Sequence, residues 1–402
     1  MRRLSPLVPP LRCLVLLAAA LWSLQPAPTR AEEPPEDDDE EAAAPPDEGA
    51  PEDDGASAPS EGAPAPGADA QVVVVTFDSG FVDVGFAGDK APRASEAYYL
   101  PGGRIRDWAG FEAMLRHMFT QIGASPSEHP VLLSEPASVP APERERLTQL
   151  MFEKLQVPAF YLMADAALTC YAAGRTTCLA LTSPDGTQIA VVYDGYVLPF
   201  SVMSVPVGRA DIALLAMKLV GDRLGHAFAA RDREAFAAII EQRGFVALDF
   251  DADEQKAAAG SELDVTVTLP DGQEATIGRE RFAAAEALFK PALLGSQRVG
   301  LHSAAYDAIM HCDVELRQDL YRNIVVAGRT LALEGLEERL TQEMKLLAPP
   351  TMSIVVAAPP ERARSVWIGG SLVASLSTFR KLAITRADYD ASGPAIIGKK
   401  AL

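Results

Sequence analysis

From residue 71 onward, apolar positions follow strand-like and helix-like spacing in turn, and each change of spacing predicts an element. Residues 71–76 form a β-branched run, and Gly80 and Gly85 break it into a strand-turn-strand hairpin. Helical apolar spacing over 111–120 predicts a helix, and 130–133 predicts a short strand. Residues 142–155 read as a second helix, with Pro140 and Pro142 marking its start. Residues 160–173 read as a third. A second strand-turn-strand unit follows, with strands over 178–181 and 189–193 around the turn Ser183-Pro-Asp-Gly186. Two hairpins, each embedded in alternating strands and helices, predict a duplicated α/β architecture. Turns lined by glycine and backbone N–H groups, one per half and facing a cleft, are a place to hold phosphates. Alone that signal is weak, because any α/β protein has glycine turns.

Upstream the pattern changes character. Residues 32–70 are Pro, Ala, Gly, Ser, Asp and Glu, with no aromatic or β-branched residue. Such a segment buries too little apolar surface to offset its ordering entropy, so a disordered, self-repelling acidic linker is expected. It carries 15 acidic residues and no basic one. Residues 1–31 carry four arginines, so the chain's net charge of -19 leaves -8 for residues 71–402. That is an ordinary surface charge, and no basic patch speaks for a nucleic-acid partner.

Residues 1–31 read as a Sec-type signal peptide. Arg2, Arg3 and Arg12 precede a 12-residue apolar stretch at 13–24, and Pro28-Thr-Arg-Ala31 offers a cleavage site. Twelve residues are too few to span a bilayer of ~30 Å, so no membrane span is expected. Export to a periplasm or the extracellular medium, or into a secretory lumen in a eukaryote, is the implied localisation. Behind the signal stand three cysteines, Cys170, Cys178 and Cys312. An odd, widely spaced set is no disulfide framework, and their apolar contexts predict buried packing.

Longer stretches carry more specific information. VGFAGDKAPRA at 84–94 resembles the N-terminal hairpin of actin. Further actin-like blocks are EHPVLLSEP at 128–136, AAGRTT at 172–177, VALDF at 246–250 and LPDGQ at 269–273. IMHCD at 309–313, APPER at 358–362, SVWIGG at 365–370 and ASLSTF at 374–379 continue the series. The chain thus resembles the actin family over almost all of residues 71–402. The resemblance implies two RNase H-like α/β halves around a deep nucleotide cleft. It divides the chain into subdomain 1 (71–171 and 365–402), subdomain 3 (172–207 and 297–364) and subdomain 4 (208–296). Only nine residues, 95–103, stand where the family has its small subdomain 2, with the loop that inserts into the next subunit of a filament. Subdomain 2 is therefore expected to be absent, and with it the actin-type filament contact.

Carried onto this sequence, the family's nucleotide site is largely lost. Magnesium needs oxygen ligands, usually carboxylates acting through water, and phosphoryl transfer is mostly positioning and charge neutralisation. Thr76 stands at the first-hairpin Asp (Asp78 if the turn is shifted), and Asp83 at the Lys that faces the phosphates. Asp165 replaces the water-positioning Gln, Thr182 the second-hairpin Asp, and Pro184, which has no N–H to donate, a turn Gly. Ile240 and Ala363 replace nucleotide-facing lysines, and Arg329 the second residue of a Gly-Gly turn. A Lys ~4 Å from a phosphate contributes about 4 kcal/mol at an effective dielectric near 20, and Asp83 replaces that attraction with repulsion. Ser79, Gly80, Asp185, Gly186, Glu241 and Gly328 remain as the remnant nucleotide site. No catalytic residue, metal ligand or cofactor is expected, with ATP plus Mg²⁺ or Ca²⁺ the one candidate ligand.

The resemblance also implies an apolar partner groove between subdomains 1 and 3, lined by Tyr171, Gly174, Thr176, Gly195, Ile368, Leu372, Val373, Leu376 and Leu382. Exposed apolar grooves mark interaction sites, commonly for an amphipathic helix, although the same residues also serve to hold a joint between subdomains. The expected function is an exported, non-catalytic pseudo-actin that binds or scaffolds a protein partner through this groove. The alternative is a divergent actin-like ATPase, with Asp78, Asp83, Asp165 and Asp185 as metal ligands, that assembles in a non-actin geometry.

Overall fold

The computed structural model describes residues 70–400. The expected signal peptide, and all of the expected linker but Ala70, lie outside them. Among the described residues, no helix is long and apolar enough to cross a membrane.

The first hairpin is β1 (Val73–Asp78) and β2 (Phe81–Phe86). Its two-residue turn holds Ser79 and Gly80 at φ 51° and 85°, both in the left-handed region that closes a tight hairpin. β2 pairs antiparallel with β3 (Ala94–Ala97). Only residues 98–107, with a single 3₁₀ turn at Pro101–Gly103, separate β3 from helix α1 (Trp108–Gln121). No room is left there for a further subdomain. Asp107 starts α1 by accepting from the Gly110 N–H at 3.0 Å, and Phe111, Leu115, Met118 and Phe119 make one buried face.

β4 (Val131–Glu135) and helix α2 (Ala141–Gln149) follow, and α2 widens into a π-type turn at Leu150–Lys154 instead of running on as regular helix. The expected helix over 160–173 is two elements: strand β5 (Ala159–Ala164) and helix α3 (Asp165–Ala172). The run Phe160-Tyr-Leu-Met163 is buried on both faces, and a continuous apolar run fits a central strand as well as a buried helix. Pairing settles it, since β5 lies parallel to β4 from Phe160 to Ala164.

The second hairpin is β6 (Cys178–Thr182) and β7 (Thr187–Tyr193), flanked by β8 (Tyr196–Val197) and β9 (Met203–Val205). Helices α4 (Arg209–Leu224) and α5 (Arg233–Arg243) come next. A small antiparallel pair, β10 (Val265–Thr268) and β11 (Glu274–Ile277), leads to helix α6 (Leu301–Met310) and strand β12 (Ile324–Val326). Helix α7 (Leu336–Leu347), strand β13 (Val356–Ala357), helix α8 (Ser365–Ala374) and strand β14 (Ile384–Thr385) complete the two sheets.

The two sheets repeat one topology. The first runs β14-β5-β4-β1-β2-β3, and the second β13-β12-β6-β7-β8, with β9 also paired to β7. In each, a hairpin strand (β1 or β6) pairs antiparallel with its partner and parallel with the strand after the crossover (β4 or β12). This is the duplicated α/β fold read from the sequence. One apolar core packs each sheet, and a third, built around Trp367, Leu168 and Val74, lies where α3 and α8 cross between them. That crossing is close: a Cβ on Gly369 would sit 2.0 Å from the Leu168 carbonyl oxygen.

Candidate functional site

The hairpin turns of the two halves meet at the bottom of the cleft, and they are bonded directly to each other. The Ser79 N–H donates to the Ser183 carbonyl at 2.8 Å, and the Ser79 hydroxyl donates to the same oxygen at 2.9 Å. That hydroxyl also lies 2.9 Å from the Ser183 Oγ and 3.0 Å from the Thr330 Oγ1. Asp78 accepts from the Ser183 hydroxyl at 2.9 Å and from the Arg329 N–H at 2.7 Å. Gly328 is held at φ 106°, and a Cβ there would stand 1.9 Å from Ser183 Oγ and 2.7 Å from Asp78 Oδ1, so only glycine fits.

Arg329 reaches over this junction. Its Nη2 donates to both Asp83 oxygens, at 2.9 and 3.1 Å, and to the Ser95 Oγ at 3.1 Å. Its guanidinium also lies 4.4 Å from the Phe81 ring centroid. The two charge-changing positions of the sequence, Asp83 and Arg329, are thus partners across the cleft. Asp83 is 2% exposed, so this ion pair is buried at its acidic end.

Asp185, the remnant carboxylate of the second turn, is covered from the other half. The Gly102 N–H donates to it at 2.5 Å and the Tyr99 hydroxyl at 3.3 Å. The short segment after β3 therefore sits as a cap on the second turn. A third bridge runs through Gln188, which accepts from the Ala137 N–H at 2.7 Å and donates to the Ser138 hydroxyl at 3.0 Å. Gly186 is glycine for a different reason than its neighbour turn: a Cβ there would press on the Val205 carbonyl at 3.1 Å.

A cavity of about 190 Å³ remains beside the junction, lined by residues that include Ser79, Gly80, Tyr98, Tyr99, Asp185 and Arg209. Arg209 spans its wall with two carboxylates, Glu234 at 2.6 Å and Glu241 at 2.6 Å. Glu241 is thereby turned into an ion pair and is not among the lining residues. Of the six remnant residues, Ser79, Gly80, Asp185 and Gly328 converge at the junction, Gly186 packs against β9, and Glu241 stands apart on α5.

Three carboxyls lie beneath the junction. Burial pushes Asp165 up to about 8, helped by the nearby Asp78 and Glu135 and opposed by a hydrogen bond from Ser134. Burial pushes Asp78 up to about 7 against its bonds from Arg329 and Ser183. It also pushes Glu135 to about 7 against its Arg144 partner at 2.6 Å. Asp165 Oδ1 and Glu135 Oε2 are buried with no hydrogen-bond partner. Among the described residues, no group of three or more His, Cys, Asp or Glu side chains is placed to hold a metal ion.

The predicted groove residues gather on α3, α8 and the loops beside them. Tyr171, Thr176, Leu372, Val373 and Leu376 are buried, while Gly174, Gly195, Ile368 and Leu382 are half-buried. Gly195 is fixed at φ 89° with its N–H donating to the Thr176 carbonyl at 2.7 Å, and a Cβ on it would lie 2.2 Å from the Tyr171 hydroxyl. These residues form one packed seam between the sheets, with four half-buried members at its rim.

Sequence reasoning missed the parts played by Ser183, Thr330, Gln188, Arg209 and the Tyr99–Gly102 cap. Ser183 was read only as a turn residue, and the others stand in no motif. The one usable signal was the opposite sign of Asp83 and Arg329, two charge changes in a single site. A family model for actin matches residues 94–402, more than three quarters of the chain, starting at β3. The β1–β2 hairpin ahead of the match belongs to the same sheet through its pairing with β3 and β4. This chain is a member of the actin family.

Proposed function

We propose that this protein is an exported pseudo-actin: a non-catalytic member of the family that binds or scaffolds a protein partner through the seam between subdomains 1 and 3. One observation carries the reading. The turns that would cradle phosphates spend their donors on each other, with Ser79 bonded to Ser183 and Thr330, and Asp78 to Arg329. An incoming triphosphate would have to break these bonds and would meet Asp78 and Asp83 instead of a lysine. Pro184 withdraws a further N–H. The remaining cavity, about 190 Å³, falls below the ~300 Å³ at which pockets for drug-sized ligands begin. The residues present therefore do not fit Mg-ATP, and no catalytic step is assigned to them.

Further considerations support the rest of the reading. The inserting loop of an actin filament has no counterpart in residues 98–107, which speaks against actin-type polymerisation. The apolar leader and acidic linker of the sequence speak for export, to places where ATP is scarce. A groove without the inserting loop suits a cap on the end of an actin filament that accepts a loop. Unchanged pointed-end growth of actin seeds at saturating protein would remove this narrower version.

Calorimetric titration of ATP with Mg²⁺ or Ca²⁺ tests the central point. The expected result is no heat and no thermal stabilisation at millimolar ATP. Micromolar binding would overturn the reading and bring forward an ATPase that uses the cleft carboxylates.

A further inference from the structure

The cavity beside the junction is lined by two charged groups that the fold leaves unused. Asp185 is one. Its bonds from the Gly102 N–H and the Tyr99 hydroxyl both fall on Oδ2, and Oδ1 accepts from no described residue. Arg233, the first residue of α5, is the other. Its guanidinium lies 5.7 Å from the Tyr99 ring centroid and makes no hydrogen bond or ion pair with any described residue. An arginine at a helix start opposes the helix dipole, so helix stability does not explain its place. The cavity's second guanidinium is already engaged, since Arg209 is shared by Glu234 and Glu241. Tyr99 thus stands between an open carboxylate oxygen, at its hydroxyl end, and an open guanidinium, over its ring. Burial pushes the Asp185 carboxyl up, and a cation beside it would hold its charged form.

We infer that this cavity binds a small zwitterion of amino-acid size. Its ammonium donates to Asp185 Oδ1, its carboxylate accepts from the Arg233 guanidinium, and its carbon body lies against Tyr98 and Tyr99. Charge selects this class over its simpler relatives. A lone anion would meet Asp185 and Glu234, and a lone cation would meet Arg233, whereas a zwitterion satisfies both kinds of group at once. Size selects it too, since about 190 Å³ suits a ligand smaller than the drug-sized class that begins near ~300 Å³. The walls come from the segment after β3, the second hairpin turn and the starts of α4 and α5, so an occupant would touch both halves of the molecule.

The inference is independent of the groove reading, and its probes carry no phosphate, so this test and the ATP titration fail separately. The full chain is titrated calorimetrically at neutral pH, and its melting point followed, with glycine, β-alanine and L-glutamine as zwitterions. Acetate and methylammonium serve as the carboxylate and the ammonium alone. The expected result is saturable heat and a raised melting point with at least one zwitterion, and neither effect with acetate or methylammonium. Asp185→Asn and Arg233→Gln should each weaken that binding about tenfold or more, as the loss of a charged hydrogen bond implies. The acetate and methylammonium controls need no variant, so they decide the matter even where a substitution disturbs folding. No binding by any of the three zwitterions, equal binding of acetate or methylammonium, or unchanged affinity in both folded variants would overturn the inference.

Discussion

Acid should stabilise this protein, and Asp165 is the residue that shows it best. Its carboxyl is raised from 3.8 to about 8 by burial at 1% exposure, with one oxygen unpartnered. Asp78 and Glu135 are raised to about 7 by the same cause. A raised acid binds its proton more tightly in the folded state than in the unfolded one. Its contribution is therefore complete below the unfolded value near 4 and is lost as pH climbs through the folded value. The loss spans about pH 4 to 8. For Asp165 alone, about four units at ~1.36 kcal/mol each give on the order of 5 kcal/mol as an upper bound, which any water drawn into the cleft reduces. Below pH 4 an opposing group acts, since Lys400 and Thr385 hold Asp388 at about 2. Stability should therefore peak near pH 5, with a melting point several degrees higher at pH 5 than at pH 8. An entropy of unfolding near ~2 cal/mol/K per residue converts 5 kcal/mol to roughly 7 °C over this length. Asp165→Asn keeps the shape and removes the titration, so it should raise the melting point at pH 8, change it little at pH 5, and flatten the profile. A melting point equal or lower at pH 5, or an unaltered slope in Asp165→Asn, would refute the reasoning.

Three further outcomes are expected. Removing Arg329 alone (Arg329→Ala) strands the buried Asp83 carboxylate and should cost about 3–5 kcal/mol in urea unfolding, while Asp83→Asn in the same chain should recover part of it; additive effects would mean the pair is not coupled. Gly369→Ala places a Cβ where the Leu168 carbonyl stands and should lower stability by about 3 kcal/mol or more, read as a drop in melting point. Gly195→Ala combines a positive φ with a clash on the Tyr171 hydroxyl, so Tyr171 should become more exposed by fluorescence quenching while the fold persists by circular dichroism.

The fold was legible wherever local pattern and tertiary pairing agree. Both hairpins read directly from β-branched runs and turn residues, and the long blocks from 84 to 379 named the family. The run Phe160–Met163 misled because burial on both faces erases the alternation that marks a strand. The helix expected over 142–155 is present, and only its π-type last stretch went unread, because a π-type turn keeps helical spacing approximately while changing its hydrogen bonds. At the site, each departure from the family's nucleotide residues could be read singly as a missing charge or donor. What those residues bond to instead could not. The bond from Ser79 to Ser183 joins positions 104 residues apart, and that from Arg329 to Asp83 joins positions 246 apart. No local spacing rule reaches such distances.

The replacements share one logic. An actin fold without its nucleotide would leave two hairpin turns, rich in donors and acceptors, facing each other across an empty cleft, and unpaired buried polar groups are costly. Here several of these groups bond across to the other half: Ser79 with Ser183, Asp78 with the Arg329 N–H, Asp185 with Gly102 and Gln188 with Ala137. Asp83 and Arg329 belong to the same set, since either one alone would leave its charge unpaired while together they make a bridge. The short segment after β3 completes it by covering Asp185 from outside. Bonds made within the chain join the two halves directly. A fixed arrangement of the halves also fixes the packed seam between α3 and α8.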